Sequence, residues 1–301
     1  MDLRGVYPAL MSPFKKDGSF DFDVLRKLLR ELMKTKIRGF YVGGSSAELF
    51  SLTMDERKKV AEVAREEAGS DRSVIAHIGA MNPADAIDLA VHAKKTGCDA
   101  ISAIPPFYGK YSWEETSAFY KSLIDASGLK IFLYNIPAFT GVNLSIGGYK
   151  ELLSTGMVAG VKHTSPSLSD LERLKVANPE GIVFAGYDDL LCAAIAMGAE
   201  GCIGTGVNAV PDYFLNIFDY MKKGNLAAAQ KTQCAMNSLG EALNQVGFFK
   251  GVKYLLQLKG IDVGACRPPF LPLNAAQKKT VEEAYASSQA LVAATVAANP
   301  L

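Results

Sequence analysis

A repeated alternation of two kinds of segment constrains the fold of this chain more than any other feature of its sequence. Short apolar runs alternate with amphipathic stretches of ten to fifteen residues. The runs predict strands at residues 6–11, 39–42, 74–78, 100–104, 130–135, 158–163, 182–185 and 201–203. The stretches predict helices at residues 23–34, 55–68, 83–96, 113–126, 145–154, 167–177, 188–197 and 211–222.

The number of these units decides between two architectures that alternate strands with helices. Eight consecutive units without a long linker favour a closed barrel over an open, doubly wound sheet. The first predicted strand is followed by Ser12-Pro13-Phe14 rather than by a GxGxxG turn, which argues against a dinucleotide-binding fold. We therefore predict an α/β fold of the (β/α)8 TIM barrel class.

After residue 222 the pattern becomes wholly helical. Three further helices are predicted at residues 226–243, 248–258 and 275–298. We predict a catalytic barrel domain over residues 1–222, followed by a C-terminal helical extension over residues 223–301 that packs on the barrel.

Charge and cysteine content narrow the possible partners and location. The 301 residues include 32 Lys and Arg against 31 Asp and Glu, so no overall field favours nucleic acid or a membrane surface. The five cysteines are odd in number and lack a CxxC spacing, which predicts free, buried thiols. No apolar signal segment or bilayer-length run is found, so we expect a cytoplasmic protein.

A lysine near the end of the sixth predicted strand is the first candidate for chemistry. Residues 157–164 form an apolar run, and Lys162 lies near its C-terminal end. Strand ends of a barrel face the active-site mouth, and burial of an amine lowers its pKa and yields a nucleophile for a carbonyl group. A lysine that snorkels to solvent or pairs with a carboxylate is the alternative.

Two neighbouring strand ends add further polar groups. Tyr134 lies at the equivalent depth of the fifth predicted strand, and its phenol can shuttle protons, although such a hydroxyl often contacts only a backbone carbonyl. The second predicted strand continues into Gly43-Gly44-Ser45-Ser46, whose small residues and hydroxyls suit a carboxylate. A flexible connection is the alternative for this turn.

Together these segments carry a family resemblance. The motifs GGSSAE, YNIPAFTG, GVKHTS, GYDD and GCIGT occur in this order after or at predicted strands two, five, six, seven and eight. The chain resembles the pyruvate-dependent class I aldolases and lyases, the family that includes N-acetylneuraminate lyase and dihydrodipicolinate synthase. The resemblance covers essentially the whole chain, including the GFFKGVKYLL and CRPPF segments of the helical tail.

The resemblance implies a Schiff-base mechanism. Lys162 would condense with the ketone carbon of a 2-oxo acid, and Tyr134, hydrogen-bonded to Ser45, would shuttle protons. Ser46 and neighbouring backbone amides would hold the carboxylate. Tyr108 matches a family tyrosine that reaches into a neighbouring subunit's site, which implies a homotetramer.

The same mechanism needs no cofactor other than the imine formed on Lys162. A protonated imine is an electron sink, so cleavage of the C3–C4 bond of a 4-hydroxy-2-oxo acid leaves an enamine rather than a free carbanion. No metal is then required, and His77, His92 and His163 show no zinc-like spacing.

Residues around the motifs discriminate between branches of the family. The dihydrodipicolinate branch carries an arginine where this chain has Phe139. That arginine binds the carboxylate of an acidic semialdehyde through two hydrogen bonds, and phenylalanine cannot replace it. The N-acetylneuraminate lyase branch has an apolar residue there and a GYDE motif, which corresponds to Gly186-Tyr187-Asp188-Asp189 here. Asp189 is one methylene shorter than the glutamate of that branch, and a role of either aspartate as a helix N-cap is the alternative.

The remaining predicted substrate contacts lie at the ends of the sixth and eighth predicted strands. Thr164 matches the lyase pattern, and Gly204 and Thr205 end the eighth predicted strand. Thr205 keeps a hydroxyl for the glycerol end of the sugar, although Gly206-Val207 makes a smaller loop than the Thr-Tyr of the lyases.

The leading hypothesis is therefore an aldolase that reversibly splits N-acetylneuraminate into N-acetylmannosamine and pyruvate. An aldolase or dehydratase for another 2-oxo-3-deoxy sugar acid is the second hypothesis, and a dihydrodipicolinate synthase-like enzyme is disfavoured by Phe139. A catalytically silent 2-oxo acid sensor is the hypothesis from a different class. The expected partners are a small-molecule 2-oxo or sugar acid and other copies of the chain, with no nucleic acid and no membrane.

Overall fold

A computed structural model describes residues 2–301 and shows eight parallel strands arranged as a barrel. The strands are β1 (Gly5–Pro8), β2 (Gly39–Val42), β3 (Ser73–His77), β4 (Ala100–Ala103), β5 (Ile131–Asn135), β6 (Val158–His163), β7 (Ile182–Ala185) and β8 (Gly201–Gly204). Their hydrogen-bonded order is β1-β8-β7-β6-β5-β4-β3-β2. The barrel predicted from the sequence is confirmed.

The junction between β1 and β2 closes the ring with few hydrogen bonds. Arg38 N–H donates to the Val6 carbonyl at 2.8 Å, and Leu10 N–H donates to the Tyr41 carbonyl at 2.9 Å. A single bridge between Ala9 and Tyr41 accompanies them. The barrel is therefore nearly closed, with its weakest ladder at this junction.

Helices follow the strands and surround them. They are α1 (Phe22–Met33), α2 (Met54–Ala68), α3 (Pro83–Thr96), α4 (Trp113–Ser127), α5 (Pro137–Thr140), α6 (Ile146–Leu153), α7 (Leu168–Ala177), α8 (Leu191–Ala196) and α9 (Pro211–Lys222). Local sequence explains several starts, because Thr53 with Glu56 and Ser112 with Glu115 form capping boxes at α2 and α4.

Two local predictions differ from the structure, and one short helix was not predicted. The first strand ends at Pro8 instead of residue 11, because the following amides turn to other partners, such as Asn208 Oδ1 for Met11 N–H. The predicted helix 188–197 is a 3-10 turn over Asp188–Leu190 followed by the short α8. Helix α5 was not predicted, because four residues are too few to show periodicity.

The barrel interior is filled by side chains rather than open. Tyr7, Tyr41, Phe132, Tyr134 and Phe184 belong to one buried cluster inside the ring. The Tyr7 hydroxyl pairs with Ser73 Oγ at 2.7 Å, and the Tyr41 hydroxyl donates to Ser102 Oγ at 3.1 Å. Because these phenols find partners, the rings can be buried without leaving polar atoms unpaired.

Three C-terminal helices follow the barrel: α10 (Leu226–Val246), α11 (Phe248–Leu258) and α12 (Ala275–Ala298). An ion pair fastens them to the barrel, because Lys253 Nζ of α11 lies 2.8 Å from Glu48 Oε1, and both side chains are buried. Arg267 N–H donates to the other oxygen of Glu48 at 2.8 Å. The division into residues 1–222 and 223–301 remains a prediction.

Two composition-based expectations can be compared with the described residues. All five cysteines are unpaired, but Cys234 is exposed, so the buried-thiol prediction is wrong for this residue, which lies on an outward face of α10. Within residues 2–301, no helix combines the length and apolar character that a membrane crossing demands.

Candidate active site

The candidate site is built around Lys162, which lies inside the barrel near the end of β6. Its backbone is the register partner of Tyr134 on β5 and of Phe184 on β7. Only 3% of the residue is exposed. Because successive side chains of a strand alternate between faces, the neighbouring Val161 packs toward the helices while Lys162 points into the ring.

Aromatic faces surround the amine of Lys162. Its Nζ lies 4.0 Å from the centroid of the Tyr134 ring and 4.3 Å from that of the Tyr41 ring. Burial lowers the pKa of Lys162 below the ordinary value for lysine, and the nearby Tyr134 opposes this effect only in part. No ion pair within residues 2–301 includes Lys162, so it neither snorkels to solvent nor pairs with a carboxylate.

The serine turn, Ser45–Ala47, follows β2 as a tight 3-10 turn. Ser45 Oγ lies 3.5 Å from the Tyr134 hydroxyl, at the long end of hydrogen-bond range. Ser46 Oγ lies 2.6 Å from Thr205 Oγ1, so the loops after β2 and β8 touch at this point. Ser12 Oγ donates to the Ala47 carbonyl at 2.8 Å and fixes the turn from β1.

Thr164 offers a free hydrogen-bonding group beside the lysine. The residue is buried, and its Oγ1 has no hydrogen-bond partner within the described chain. Gly186 leaves room for it, because a Cβ at position 186 would lie only 1.8 Å from that oxygen. A buried hydroxyl without a partner is costly, so Thr164 is available to a bound ligand.

Asp188 contributes a carboxylate held by the end of β8. Its Oδ2 accepts a hydrogen bond from Gly206 N–H at 2.7 Å, and a Cβ at Gly204 would lie 2.4 Å from Oδ1. Burial raises the pKa of Asp188 to about 6, although the bond from Gly206 opposes this effect. The N-cap alternative is wrong, because neither the Asp188–Leu190 turn nor α8 has a side-chain cap, and the Asp188 carboxylate is engaged by Gly206 instead.

One cavity of about 720 Å³ collects most of the predicted site residues. Those that line it are Ser45, Ser46, Tyr134, Phe139, Lys162, Thr164, Gly186, Asp188, Asp189 and Thr205. Gly204 does not line the cavity, but it leaves room for Asp188. Tyr108 also lies outside it and is 87% exposed in the single chain.

Several residues in or beside the cavity were not found from the sequence. Tyr41 covers the amine of Lys162, yet β2 is buried on both faces, so its pattern did not show which side chains point inward. Helices α10 and α11 supply Met236, Asn237, Glu241, Asn244, Phe248 and Phe249 to the cavity wall. Their amphipathic pattern predicts burial of a face but carries no signal for which part of the barrel it covers.

His77 is a further unpredicted neighbour, packed edge-on to Tyr134 with ring centroids 5.7 Å apart. Its Nε2 accepts from Ile104 N–H, so Nδ1 must carry the proton and donate to the Gly43 carbonyl at 3.1 Å. Burial lowers the pKa of His77 well below its usual range, so the ring is neutral. Within residues 2–301, no three His, Cys, Asp or Glu side chains are grouped as metal ligands would be.

Known proteins are similar to this chain in sequence and in fold. The profile of the dihydrodipicolinate synthetase family matches residues 2–288. The N-acetylneuraminate lyase of Haemophilus influenzae is 36% identical over 293 residues, which cover 97% of this chain and 98% of that protein. The structure of N-acetylneuraminate lyase from Fusobacterium nucleatum complexed with pyruvate has a TM-score of 0.90 at 33% identity, covering 95% of this chain and 97% of that one.

A second solved structure is similar over the same length. The structure of CdNal from Clostridium difficile in complex with mannosamine has a TM-score of 0.93 at 32% identity. The match covers 96% of this chain and all of that one.

A parallel barrel with a desolvated lysine beside a phenol, and with these relatives, defines a class I aldolase, a carbon–carbon lyase. The chain belongs to the dihydrodipicolinate synthetase family. The resemblance found from the sequence motifs is confirmed.

Proposed function

We propose that this enzyme reversibly cleaves N-acetylneuraminate to N-acetylmannosamine and pyruvate through an imine on Lys162. The observation that carries the proposal is the amine of Lys162, buried between the rings of Tyr134 and Tyr41, with the Tyr134 hydroxyl in turn 3.5 Å from Ser45 Oγ of the serine turn. The names of the relatives, and the pyruvate and mannosamine bound to two of them, support the choice of substrate.

The chemistry begins at the ketone carbon of the open-chain sugar acid. The neutral amine of Lys162 adds to C2, and loss of water leaves a protonated imine. The hydroxide lost from C2 takes the proton of Tyr134 and leaves as water, so Tyr134 is a phenolate at this stage. The phenolate takes the proton of the C4 hydroxyl while the C3–C4 bond breaks, N-acetylmannosamine leaves, and the electron pair of the broken bond moves into the imine to give an enamine. Tyr134 returns the proton to C3, and hydrolysis of the imine releases pyruvate and restores both the amine and the phenol. The protein supplies the electron sink itself, so the proposal includes no cofactor.

The rest of the cavity has matching positions for the two ends of the substrate. Ser45 and Ser46 would donate hydrogen bonds to the carboxylate, and the partnerless hydroxyl of Thr164 would bond a substrate oxygen nearby. Asp188 and Asp189 would accept hydrogen bonds from sugar hydroxyls. Of the residues that line the cavity in the described chain, Lys162 is the sole cation, which fits a neutral polyhydroxy tail rather than a second carboxylate.

A second candidate substrate is another 2-oxo-3-deoxy sugar acid. One observation favours it: the hydroxyl of Thr205, expected to face the glycerol end of sialic acid, is bonded to Ser46 instead. A shorter substrate would not need that contact. A dihydrodipicolinate-type substrate is disfavoured, since Phe139 at the mouth cannot bind a carboxylate.

The assembly is part of the same proposal. We place Tyr108 at the site of a neighbouring subunit in a homotetramer, because this large side chain is 87% exposed and outside the cavity of its own chain. A cytoplasmic location, which five unpaired cysteines favour, also stays a proposal.

Borohydride trapping tests the mechanism. The enzyme is reduced in the presence of pyruvate and digested, and we expect the mass of one reduced pyruvyl group on Lys162. Lys253, a second buried lysine, is the control within the same digest and should stay unmodified. Folded enzyme with an unmodified Lys162 would refute the imine.

Substrate comparison tests the specificity. Pyruvate release is measured with N-acetylneuraminate and with 2-oxo-3-deoxygluconate at matched concentrations. A higher kcat/KM for N-acetylneuraminate is expected, and the reverse order would replace the first substrate by the second.

A further inference from the structure

The acidic loop, which we define as residues Asp188–Cys192, has no side-chain N-cap of its own. Its backbone therefore depends on hydrogen bonds from other parts of the chain. The loop contains a three-residue 3-10 turn and the start of the six-residue α8, neither of which has a side-chain N-cap. The first amides of a helix have no partner within the helix, so the Cys192 N–H must be satisfied from elsewhere. Both proposed sugar-binding carboxylates depend on how this backbone is held.

Gln233 of α10 supplies that support. Its Oε1 accepts from Cys192 N–H at 2.8 Å, and its Nε2 donates to the Asp188 carbonyl at 3.1 Å. The same Nε2 donates its second proton to Asn237 Oδ1 at 2.7 Å, and Asn237 Nδ2 donates to the Asp189 carbonyl at 3.1 Å. An N–H can only donate and a carbonyl can only accept, so these contacts fix the orientation of both amides.

The position of Gln233 separates support from direct binding. The residue is 8% exposed and does not line the cavity, whereas Asn237, Asp188 and Asp189 do. From the opposite side, Gly206 N–H holds the carboxylate of Asp188. The acidic loop is thus clamped between the C-terminal helices and the end of β8.

We propose that Gln233 is a positioning residue for the sugar half of the substrate, acting through the backbone of the acidic loop. The inference rests on the proposed function, because it assigns Asp188 and Asp189 to sugar hydroxyls. It further assigns to the C-terminal extension a part in substrate selection. The pyruvate half, bound at Lys162 and the serine turn, should be insensitive to Gln233.

Gln233→Met tests this separation, because methionine keeps the volume and removes every hydrogen bond of the amide. We expect at least a tenfold rise in KM for the sugar acid, from the loss of these buried hydrogen bonds. The concentration of pyruvate that half-saturates borohydride labelling of Lys162 should change less than twofold. Gln230→Met is the matched control, since Gln230 is an exposed glutamine on the same helix.

A second variant and a readout independent of substrate keep the test decisive. Gln233→Glu keeps an acceptor for Cys192 N–H but turns an oxygen toward the Asp188 carbonyl, so its KM should rise as well. In both variants, hydrogen–deuterium exchange of the peptide spanning residues 187–196 should speed up while that of β6 stays unchanged.

The outcomes separate this inference from the proposed function. An inactive wild type on N-acetylneuraminate would refute only the substrate, and the variants are then compared on 2-oxo-3-deoxygluconate. Four outcomes would each overturn the positioning role. They are loss of pyruvate capture in step with turnover, unchanged kinetics, unchanged hydrogen–deuterium exchange at residues 187–196, and failure of both variants to fold.

Discussion

At the scale of single residues, the chemistry depends on a phenol and an amine that meet across two strands. Tyr134 and Lys162 are register partners, which places their side chains at one level of the barrel. Both were predicted from the sequence, because a lone lysine and a tyrosine in apolar strand ends stand out. Tyr41 was not, since every residue of its strand is buried.

Tyr134→Phe should separate imine formation from bond cleavage. The variant keeps the ring beside Lys162 but loses the proton carrier, so we expect normal pyruvate labelling and a kcat for cleavage lower by ~10²-fold or more. Single-turnover cleavage and borohydride trapping measure the two steps. Equal losses in both would show that Tyr134 acts mainly in forming the imine.

Asp188→Asn should make the protein more stable at neutral pH. Burial raises the pKa of Asp188 to about 6, so the native state binds a proton more readily than the unfolded chain. Stability from this group is therefore present below about pH 4 and decreases as the pH rises to about 6. Because the residue is only half-buried, we expect a gain on the order of 1 kcal/mol at pH 7.

Urea unfolding of both proteins at pH 4 and pH 7 measures this difference. The gain should be absent at pH 4, because the wild-type carboxyl is then protonated in both states. Asparagine can still accept the hydrogen bond of Gly206, so that contact is preserved. A gain that does not depend on pH would contradict the raised pKa.

At the scale of elements, strand β6 needs a glycine to lie close enough to β7. A Cβ at Gly160 would lie 1.8 Å from the Ile182 carbonyl oxygen, and the register with β5 shifts at this level. The sequence predicted the strand but not the need for glycine at position 160. A glycine in an apolar run does not indicate how closely the backbone of the next strand approaches. Strand existence follows from local pattern, whereas close approach is a tertiary property.

Gly160→Ala should therefore destabilise the enzyme by roughly 3 kcal/mol or more in urea unfolding. Gly147→Ala is the matched control, because Gly147 lies in helix α6 with open space around its missing Cβ. That change should stabilise by about 0.5–1 kcal/mol. A tolerated Gly160→Ala would mean that β6 and β7 can separate at no cost.

At the scale of the whole molecule, the C-terminal helices are joined to the barrel by a buried ion pair. Glu48 follows the serine turn, while Lys253 and Arg267 belong to the C-terminal part. Glu48 and Arg267 are 219 residues apart in the sequence, so no local pattern could pair them. The barrel was predictable from its repeat, but the docking of the extension over its mouth was not.

Lys253→Met should cost about 3–5 kcal/mol of unfolding free energy, because it leaves the carboxylate of Glu48 buried without its counter-ion. Glu48→Gln combined with Lys253→Met removes both charges and should recover much of the loss. Urea unfolding of the two single variants and the double variant measures the coupling. Additive losses in the double variant would show that the pair contributes little.

The few hydrogen bonds between β1 and β2 make this junction the place where the barrel would open first. In the order of the sheet, β6 and β5 are the two middle strands and β2 is an outermost one. Opening between β1 and β2 would leave Lys162 on β6 and Tyr134 on β5 side by side. If the barrel opened at this junction, the two serine hydroxyls that follow β2 would move away from β1, and binding of the acid end of a ligand would weaken before the reacting centre was disturbed.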